Sequence, residues 1–535
     1  MTVTPDDTSS PTFARRWRSA VDDVPDRPFL TFEASEGTIT DFSYAETDVL
    51  VRCVAAGLVS RGVGPGDAVH LVQGNSVGFV VTWLACAAIG AWIVPSDPRA
   101  SRAELADHVA RTRPLVAVCS PARIDDYLGA VADCRRGVDV VEVDERDVAL
   151  DVLAGSASAE DLPATPIAAR DRLAVMFTSG TTSAPKGVVV TQANYAFAGD
   201  VMAAMAGLTR FDRQFVVLPM FHANAQYYSF SSAISAGSSV ALMHAFSASG
   251  FVEQARRHRA THASLFAAPI RMILARTSPG TPPLTLRHAW FAQNLSTEQY
   301  RDISQLLGCR PRQIYGMTET APAVLANPPI GSIPTAMGAP TLGCHLRVVD
   351  ADRHPVAPDA TGSIQVGGFP GTTLFAGYLD DPATTEASIV DRRGDGFVWF
   401  DTGDRATVDA LGFHYFAGRR SDVLKVAGEN VSTVEVEHAL AEHPAVREVA
   451  VVGAPDEVLD EVPEAFIVLH DGTVPDDVEG QLAAWAARHL APSKRPRAYH
   501  VVSELPRTSV GKIRKFLLHS DAGRPPDQPT EGTRE

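Results

Sequence analysis

From Ala68 to Val143, short apolar runs alternate with segments whose apolar residues recur every three to four positions. Ala68 to Val72, Leu115 to Cys119 and Val138 to Val143 read as strands, and Arg102 to Arg111 and Ile124 to Ala132 as helices between them. Such alternation predicts α/β layers with largely parallel strands. Ahead of it, Thr12 to Ala20 has the pattern of an amphipathic helix, and Leu30 to Phe32 opposes Thr38 to Phe42 as a hairpin. Tyr44 to Arg61 reads as a further helix, stopped by the turn cluster Gly62 to Asp67. Gly78 to Val94 carries no charge and approaches the length of a membrane span. Gly90 interrupts it and Pro95 to Pro98 closes it, so a buried helix from Ser76 to Ile89 and a short strand from Ala91 to Val94 account for the same residues. No membrane span is expected.

A second α/β unit follows. Thr191 is placed to cap a helix from Gln192 to Ala206, Phe215 to Leu218 is a strand running into His222, and Ala225 to Ala236 reads as a helix. Two further strand–helix alternations are expected before Ile314, a strand end that delivers Tyr315 to Thr320 to the edge of a sheet. Gly362 to Gly377 and Phe397 to Phe416 read as antiparallel strands with glycine turns. Beyond a boundary at Gly418 to Asp422 the pattern becomes compact α+β: strand Val423 to Val426, helix Ser432 to Glu442, strands Val446 to Val452 and Ala465 to Leu469, helix Val478 to His489 and strand Ala498 to Val502. The domains expected are residues 1–417, 418–518, and a disordered tail, 519–535, rich in Pro, Gly and charge.

Composition narrows the partners. The chain has 535 residues, 47 basic against 63 acidic side chains and a formal charge of -16. This argues against a nucleic-acid or anionic-membrane partner. Six cysteines are scattered without a CxxC pair, so neither a metal knuckle nor a disulfide framework is suggested. Met1 to Ser10 lacks the basic start and apolar run of a secretory signal, and a cytoplasmic location is expected.

The candidate chemistry centres on Thr178 to Val188. Gly180 lets backbone approach a ligand, Thr178, Ser179, Thr181, Thr182 and Ser183 offer hydroxyls, and Lys186 ends the run with a positive charge. Pro185 precedes that lysine and no Ser or Thr follows it, so this is not a Walker loop. The flanks Leu173 to Phe177 and Val188 to Val190 are β-type, which makes it a strand-to-strand phosphate cradle or, on the plainer reading, a polar hairpin turn.

Four more motifs accompany it in order: Tyr315 to Thr320, Trp399 to Asp404, Gly418 to Asp422, and Pro506 to Lys512. Together the five resemble the adenylate-forming superfamily of acyl-CoA synthetases, peptide-synthetase adenylation domains and luciferases, from about Phe13 to about Leu517. Ser183 in the loop and the run Phe291 to Leu295 look most like the crotonobetaine/carnitine-CoA ligase branch. The resemblance implies a large N-terminal domain of layered α/β subdomains with a β-rich part, and a small mobile α+β C-terminal domain. It also implies an ATP-dependent, AMP-forming acid–CoA ligase that uses ATP, Mg²⁺ and CoA with a small carboxylic acid; a homodimer stays open.

By the same resemblance Lys512 is the mobile catalytic lysine, Glu319 holds Mg²⁺ and Thr318 contacts phosphate. Thr178, Ser179, Gly180, Thr181, Thr182, Lys186, Tyr315, Asp404 and Arg419 fall at ATP-binding positions, with Asp404 on the ribose diol. His222, Phe266, Gln293, Asn294, Gly316 and Met317 fall on the acid side, and Ser421 at the hinge, where the family usually has Asp or Lys. Gln293 and Asn294 also depart from the common Gly-Gly/Ala pair. Tyr227, Tyr228, Phe230, Phe266 and Phe291 suit a planar acid or a quaternary ammonium, or are simply core. Two alternatives remain open: adenylation with another acceptor or anion, such as carrier-protein loading or nitrite activation for diazotisation, and a non-catalytic nucleotide-binding protein.

Overall fold

The computed structural model describes residues 11–132, 137–158, 160, 162, 165–178, 185–426, 429–456, 459–470, 477–507 and 513–518. Among them the chain forms two large α/β sheets, an antiparallel β-rich sheet and a small α+β domain. The expected tail lies outside the described residues.

The first large sheet orders its strands Gly377–Tyr378, Lys186–Thr191, Arg172–Thr178, Trp92–Pro95, Ala68–Val72, Val116–Cys119 and Asp139–Glu142. The last five are parallel, as alternation with helices predicts, while Lys186–Thr191 returns antiparallel to Arg172–Thr178 with Lys186 opposite Thr178. The hydroxyl-rich loop therefore closes a hairpin, with no helix at its end. The uncharged stretch is the buried helix Val77–Ile89, capped by Ser76 and followed by Trp92–Pro95. No helix among the described residues is long and apolar enough to cross a membrane.

The second large sheet runs Ala339–Pro340, Leu325–Ala326, Arg312–Tyr315, His288–Ala292, His262–Phe266, Arg213–Val216, Ser239–Met243, Pro28–Glu33 and Ile39–Ser43. Three strand–helix alternations, not two, precede Arg312–Tyr315, because Ser239–Met243 with Phe251–Arg257 forms a unit of its own. The segment read as one helix from Ala225 is a π-helical turn, Asn224–Ser231, running into a short α-helix, Ser232–Ala236. The wider winding has no sequence period that separates it from an α-helix.

Residues of both sheets share one core with the helices Tyr44–Ser60, Val77–Ile89 and Gln192–Ala206. Gln192–Ala206 begins at Thr191, whose hydroxyl accepts from Asn194 N at 3.1 Å. It lies so close to the π-helical turn that a side-chain carbon on Gly199 would stand 2.6 Å from the Ser231 carbonyl oxygen.

The β-rich sheet comprises His345–Val349, Thr361–Gly368, Val398–Val408, Ile389–Arg392 and His414–Arg419. The small domain pairs Glu429–Ser432, Val423–Val426, Asp460–Leu469 and Val446–Asp456, adds Ala498–Val501, and packs Thr433–Ala441 and Val478–His489 into a core of its own.

Glycine-to-alanine changes inside helices ordinarily stabilise by about 1 kcal/mol. At Gly199 the contact with Ser231 reverses the sign: Gly199→Ala is expected to destabilise by about 1–3 kcal/mol, the range for overpacking. Denaturant unfolding measures it, and a stabilised variant would show that the two helices separate freely.

Candidate active site

Arg312–Tyr315 ends at the carboxyl edge of its sheet, where ligands of open α/β sheets bind. The chain then passes through Gly316 and Met317 into a tight turn, Thr318–Thr320. Thr320 Oγ1 accepts from Met317 N at 3.1 Å and closes the turn. Ala321 follows at φ 62°, a left-handed value uncommon outside glycine.

The turn buries Glu319. Its carbonyl accepts from Phe375 N at 2.8 Å, and its Oε1 accepts from the Tyr378 hydroxyl at 3.1 Å. Lys186 Nζ lies 4.9 Å from the centroid of that same tyrosine ring. Tyr378 is delivered by the short strand Gly377–Tyr378, which pairs antiparallel with Lys186–Thr191 and sets Tyr378 opposite Val188. Burial lifts the Glu319 pKa above the ordinary carboxylate value; the Tyr378 hydrogen bond and the charges of Lys186 and Arg419 oppose the lift without cancelling it.

A second buried carboxylate stands nearby in the chain's topology. Asp404 lies directly across from Arg419 in the pair Val398–Val408 and His414–Arg419. Its Oδ1 is 3.1 Å from Arg419 Nε, and its Oδ2 accepts from the Tyr315 hydroxyl at 2.7 Å. Burial, with Asp404 beside it, pushes the Tyr315 phenol well above its usual pKa. Tyr315 thus ties the Glu319 turn to the β-rich sheet. The arrangement sets two buried carboxyl groups and the cations Lys186 and Arg419 around one strand end, a distribution suited to a polyanion with a hydroxylated part.

On the other side of Gly316 the packing is close enough that only glycine fits. A side-chain carbon on Gly316 would meet the Tyr228 hydroxyl at 3.1 Å and the backbone of Pro322 and Ala323 at about that distance or less. Tyr228 belongs to the π-helical turn, which starts two residues after half-buried His222. Phe266 and Ala292 end the neighbouring parallel strands in register with one another.

The model of the AMP-binding enzyme family matches residues 17–379, and that of the AMP-binding enzyme C-terminal domain matches 435–512. The chain belongs to the AMP-binding enzyme family. It is 31% identical to the crotonobetaine/carnitine–CoA ligase of Citrobacter koseri over 94% of this chain and 98% of that one. Among solved structures, ATP-bound MatB from Rhodopseudomonas palustris superposes with a TM-score of 0.83 at 28% identity, covering 94% of this chain and 98% of MatB. The o-succinylbenzoate CoA synthetase MenE of Bacillus subtilis, bound to its acyl-adenylate, gives 0.81 at 25% identity, covering 95% and 98%. This AMP-binding enzyme is an AMP-forming ligase of the α/β architecture and two-part build expected from its motifs.

In this AMP-binding enzyme the fold gathers Thr178, Lys186, Tyr315, Gly316, Met317, Thr318, Glu319, Asp404 and Arg419 from four stretches of sequence. Ser179, Gly180, Thr181, Thr182 and Lys512 lie outside the described residues, as does the side chain of Ser421, whose backbone joins the turn Arg420–Asp422. Gln293 is exposed at φ 73°. Asn294 is engaged elsewhere: its carbonyl accepts from Arg271 Nη2 at 3.0 Å, its amide lies 3.1 Å from that of Gln313, and it reaches 3.4 Å to His438 of the small domain. Phe230 and Phe291 are core. Sequence reading missed Tyr378, whose position depends on a strand pairing with residues almost two hundred positions away and leaves no local signal.

The raised Glu319 pKa has a sign that can be measured. A carboxyl whose pKa is higher folded than unfolded favours folding below its unfolded value, and that contribution is lost as pH rises through the folded value. Glu319→Gln should therefore unfold at a higher temperature than the ligand-free parent at neutral pH, with the difference shrinking on acidification. Melting curves across pH provide the check; a variant less stable at neutral pH would mean that the two nearby cations outweigh burial.

Proposed function

We propose that this enzyme activates a small carboxylic acid with ATP and transfers the acyl group to the thiol of coenzyme A. The observation that carries the reading is the convergence of Lys186, Glu319 and Tyr378 with Tyr315, Asp404 and Arg419 at one strand end, beside the close approach of Tyr228 that Gly316 permits. The relatives named as CoA ligases support the thiol acceptor.

In the first half-reaction a carboxylate oxygen attacks the α-phosphorus, the bond to the β-phosphate oxygen breaks, and pyrophosphate leaves. Both reactants are anions, so the protein must supply positive charge and fix an in-line approach. Thr178, Ser179, Gly180, Thr181, Thr182 and Thr318 are assigned to phosphate oxygens, with Lys186 and Arg419 balancing charge. Asp404 is assigned to the ribose diol, since an ionised carboxylate accepts from two hydroxyls. Glu319 fits Mg²⁺, which typically takes one or two carboxylates together with substrate phosphates, and bound there the ion would offset phosphate charge. Burial, which raises its pKa, works against that ionised role, and the ion's charge would favour it. His222, Phe266, Gly316 and Met317 are assigned to the acid, and Gln293 and Asn294 to the rim over which the small domain sits.

Lys512 is assigned to the bridge between attacking carboxylate and α-phosphate. Arg507, five positions before it, is with Glu448 among the charged neighbours of Arg271, which donates to the Asn294 carbonyl. In the second half-reaction the CoA sulfur attacks the acyl carbon, the bond to AMP breaks and the thiol proton is released. A turn of the small domain about Ser421 would carry Lys512 away for this step.

ATP–pyrophosphate exchange over aliphatic, aryl and betaine acids, followed by thioester formation with CoA, tests the reaction; exchange with nitrite alone would overturn it. Lys512→Ala separates the halves. Acyl-adenylate formation should fall roughly a hundredfold or more, the scale for losing one preorganised electrostatic donor. The same variant, given prepared acyl-adenylate and CoA, should form thioester at a near-normal rate. Equal losses in both assays would remove the two-step assignment of Lys512.

A further inference from the structure

Behind Gly316 the π-helical turn packs against the second large sheet, and polar groups without partners among the described residues lie on both. On the helix side, Asn224 is 5% exposed, yet neither its amide nitrogen nor its amide oxygen has a hydrogen-bond partner among the described residues. Ser231 Oγ, at the other end of the turn, is in the same condition. On the sheet side, so are Ser264 Oγ and Trp290 Nε1, in residues 4% and 1% exposed.

Strand register puts these groups on facing surfaces. Gln214, His262 and His288 are in register across three parallel strands, and the Gln214 amide donates to Ser232 Oγ, so this face of the sheet meets the helical segment. Side chains two positions apart share a face. Ser264 and Trp290, themselves in register, therefore look toward the same helix, and Phe266 and Ala292 stand one further step along, about 7 Å nearer the active site. Asn224 lies four residues before Tyr228, on the side of the turn whose tyrosine hydroxyl reaches Gly316. Buried amide, hydroxyl and indole groups without partners are costly, and the large majority of such side-chain groups in native proteins find one.

We propose that the missing partner is the substrate: the activated acid carries an uncharged group that both donates and accepts hydrogen bonds, such as a hydroxyl, aryl amine or amide, and Asn224 is the residue that selects it. The proposal rests on the acid-activating reading above and names its substrate class. The amide offers two donors and an acceptor from the helix wall, while Ser264 and Trp290 complete the contacts from the sheet. An all-apolar acid would leave Asn224 buried and unpaired. A site built to bond a substrate hydroxyl or amine rejects the analogue lacking it far more strongly than a hydrophobic pocket rejects a missing methylene.

The test is ATP–pyrophosphate exchange with matched acid pairs that differ by one hydroxyl, amino or carboxamide group, in the parent enzyme, Asn224→Leu and Ser264→Ala. The parent should prefer one substituted acid over its plain counterpart on the order of a thousandfold in kcat/KM. Asn224→Leu should reduce that preference to about tenfold or less, and Ser264→Ala should reduce it partially. Asn224→Leu should also melt above the parent without substrate, because it removes an unpaired buried amide; a merely structural asparagine would lower the melting temperature and leave the preference intact. Exchange with plain and substituted acids alike, or a preference that survives Asn224→Leu, would assign these groups to buried water and overturn the proposal while leaving the acid-activating reading in place. Absence of exchange with any acid would remove both.

Discussion

A carboxylate buried as deeply as Glu319 is tolerated only if its surroundings are held to it, and much of the site's architecture serves that constraint. The Tyr378 hydroxyl donates to it, the Lys186 ammonium lies over the Tyr378 ring, and Phe375 N holds the Glu319 backbone. Each comes from a strand or loop of the first large sheet or its edge, while Glu319 sits in the turn that follows a strand of the second. The electrostatic demand of one side chain thus binds together the two halves of the large domain. Burial still outweighs these contacts, which leaves the carboxyl reluctant to ionise until positive charge arrives.

The same logic organises the boundary with the β-rich sheet. Asp404 and Arg419 are cross-strand neighbours, and Tyr315 joins them from the second large sheet. Residues far apart in sequence are brought within hydrogen-bonding reach because strand ends from different sheets open on the same space.

Much of this was legible before any coordinates. The buried helix after Ser76, the hairpin around the hydroxyl-rich loop, and the strands Ala68–Val72 and Val423–Val426 follow from local pattern and turn chemistry, and the structure places them as read. The strand-end carboxylates were found through motif context, not periodicity. What could not be read were features fixed by distant pairings or by winding. Tyr378 owes its place to a two-residue strand, and Asn294 is tied to Arg271, Gln313 and His438 by contacts that no local rule announces. The π-helical turn has the same apolar spacing as an α-helix over its short length, so its winding could not be told from that of an ordinary helix.

Arg419 has a position that joins two otherwise separate properties. It is the last residue of its strand, bonded to Asp404, and the next three residues form the turn through which the chain leaves for the small domain. A ligand hydroxyl bound at Asp404 would share that carboxylate with Arg419, which lies directly before that turn. Thermodynamic reciprocity then applies: whatever factor nucleotide contributes to one orientation of the small domain, that orientation returns to nucleotide affinity. Occupancy and domain angle would be two readings of a single coupling, held in one ion pair.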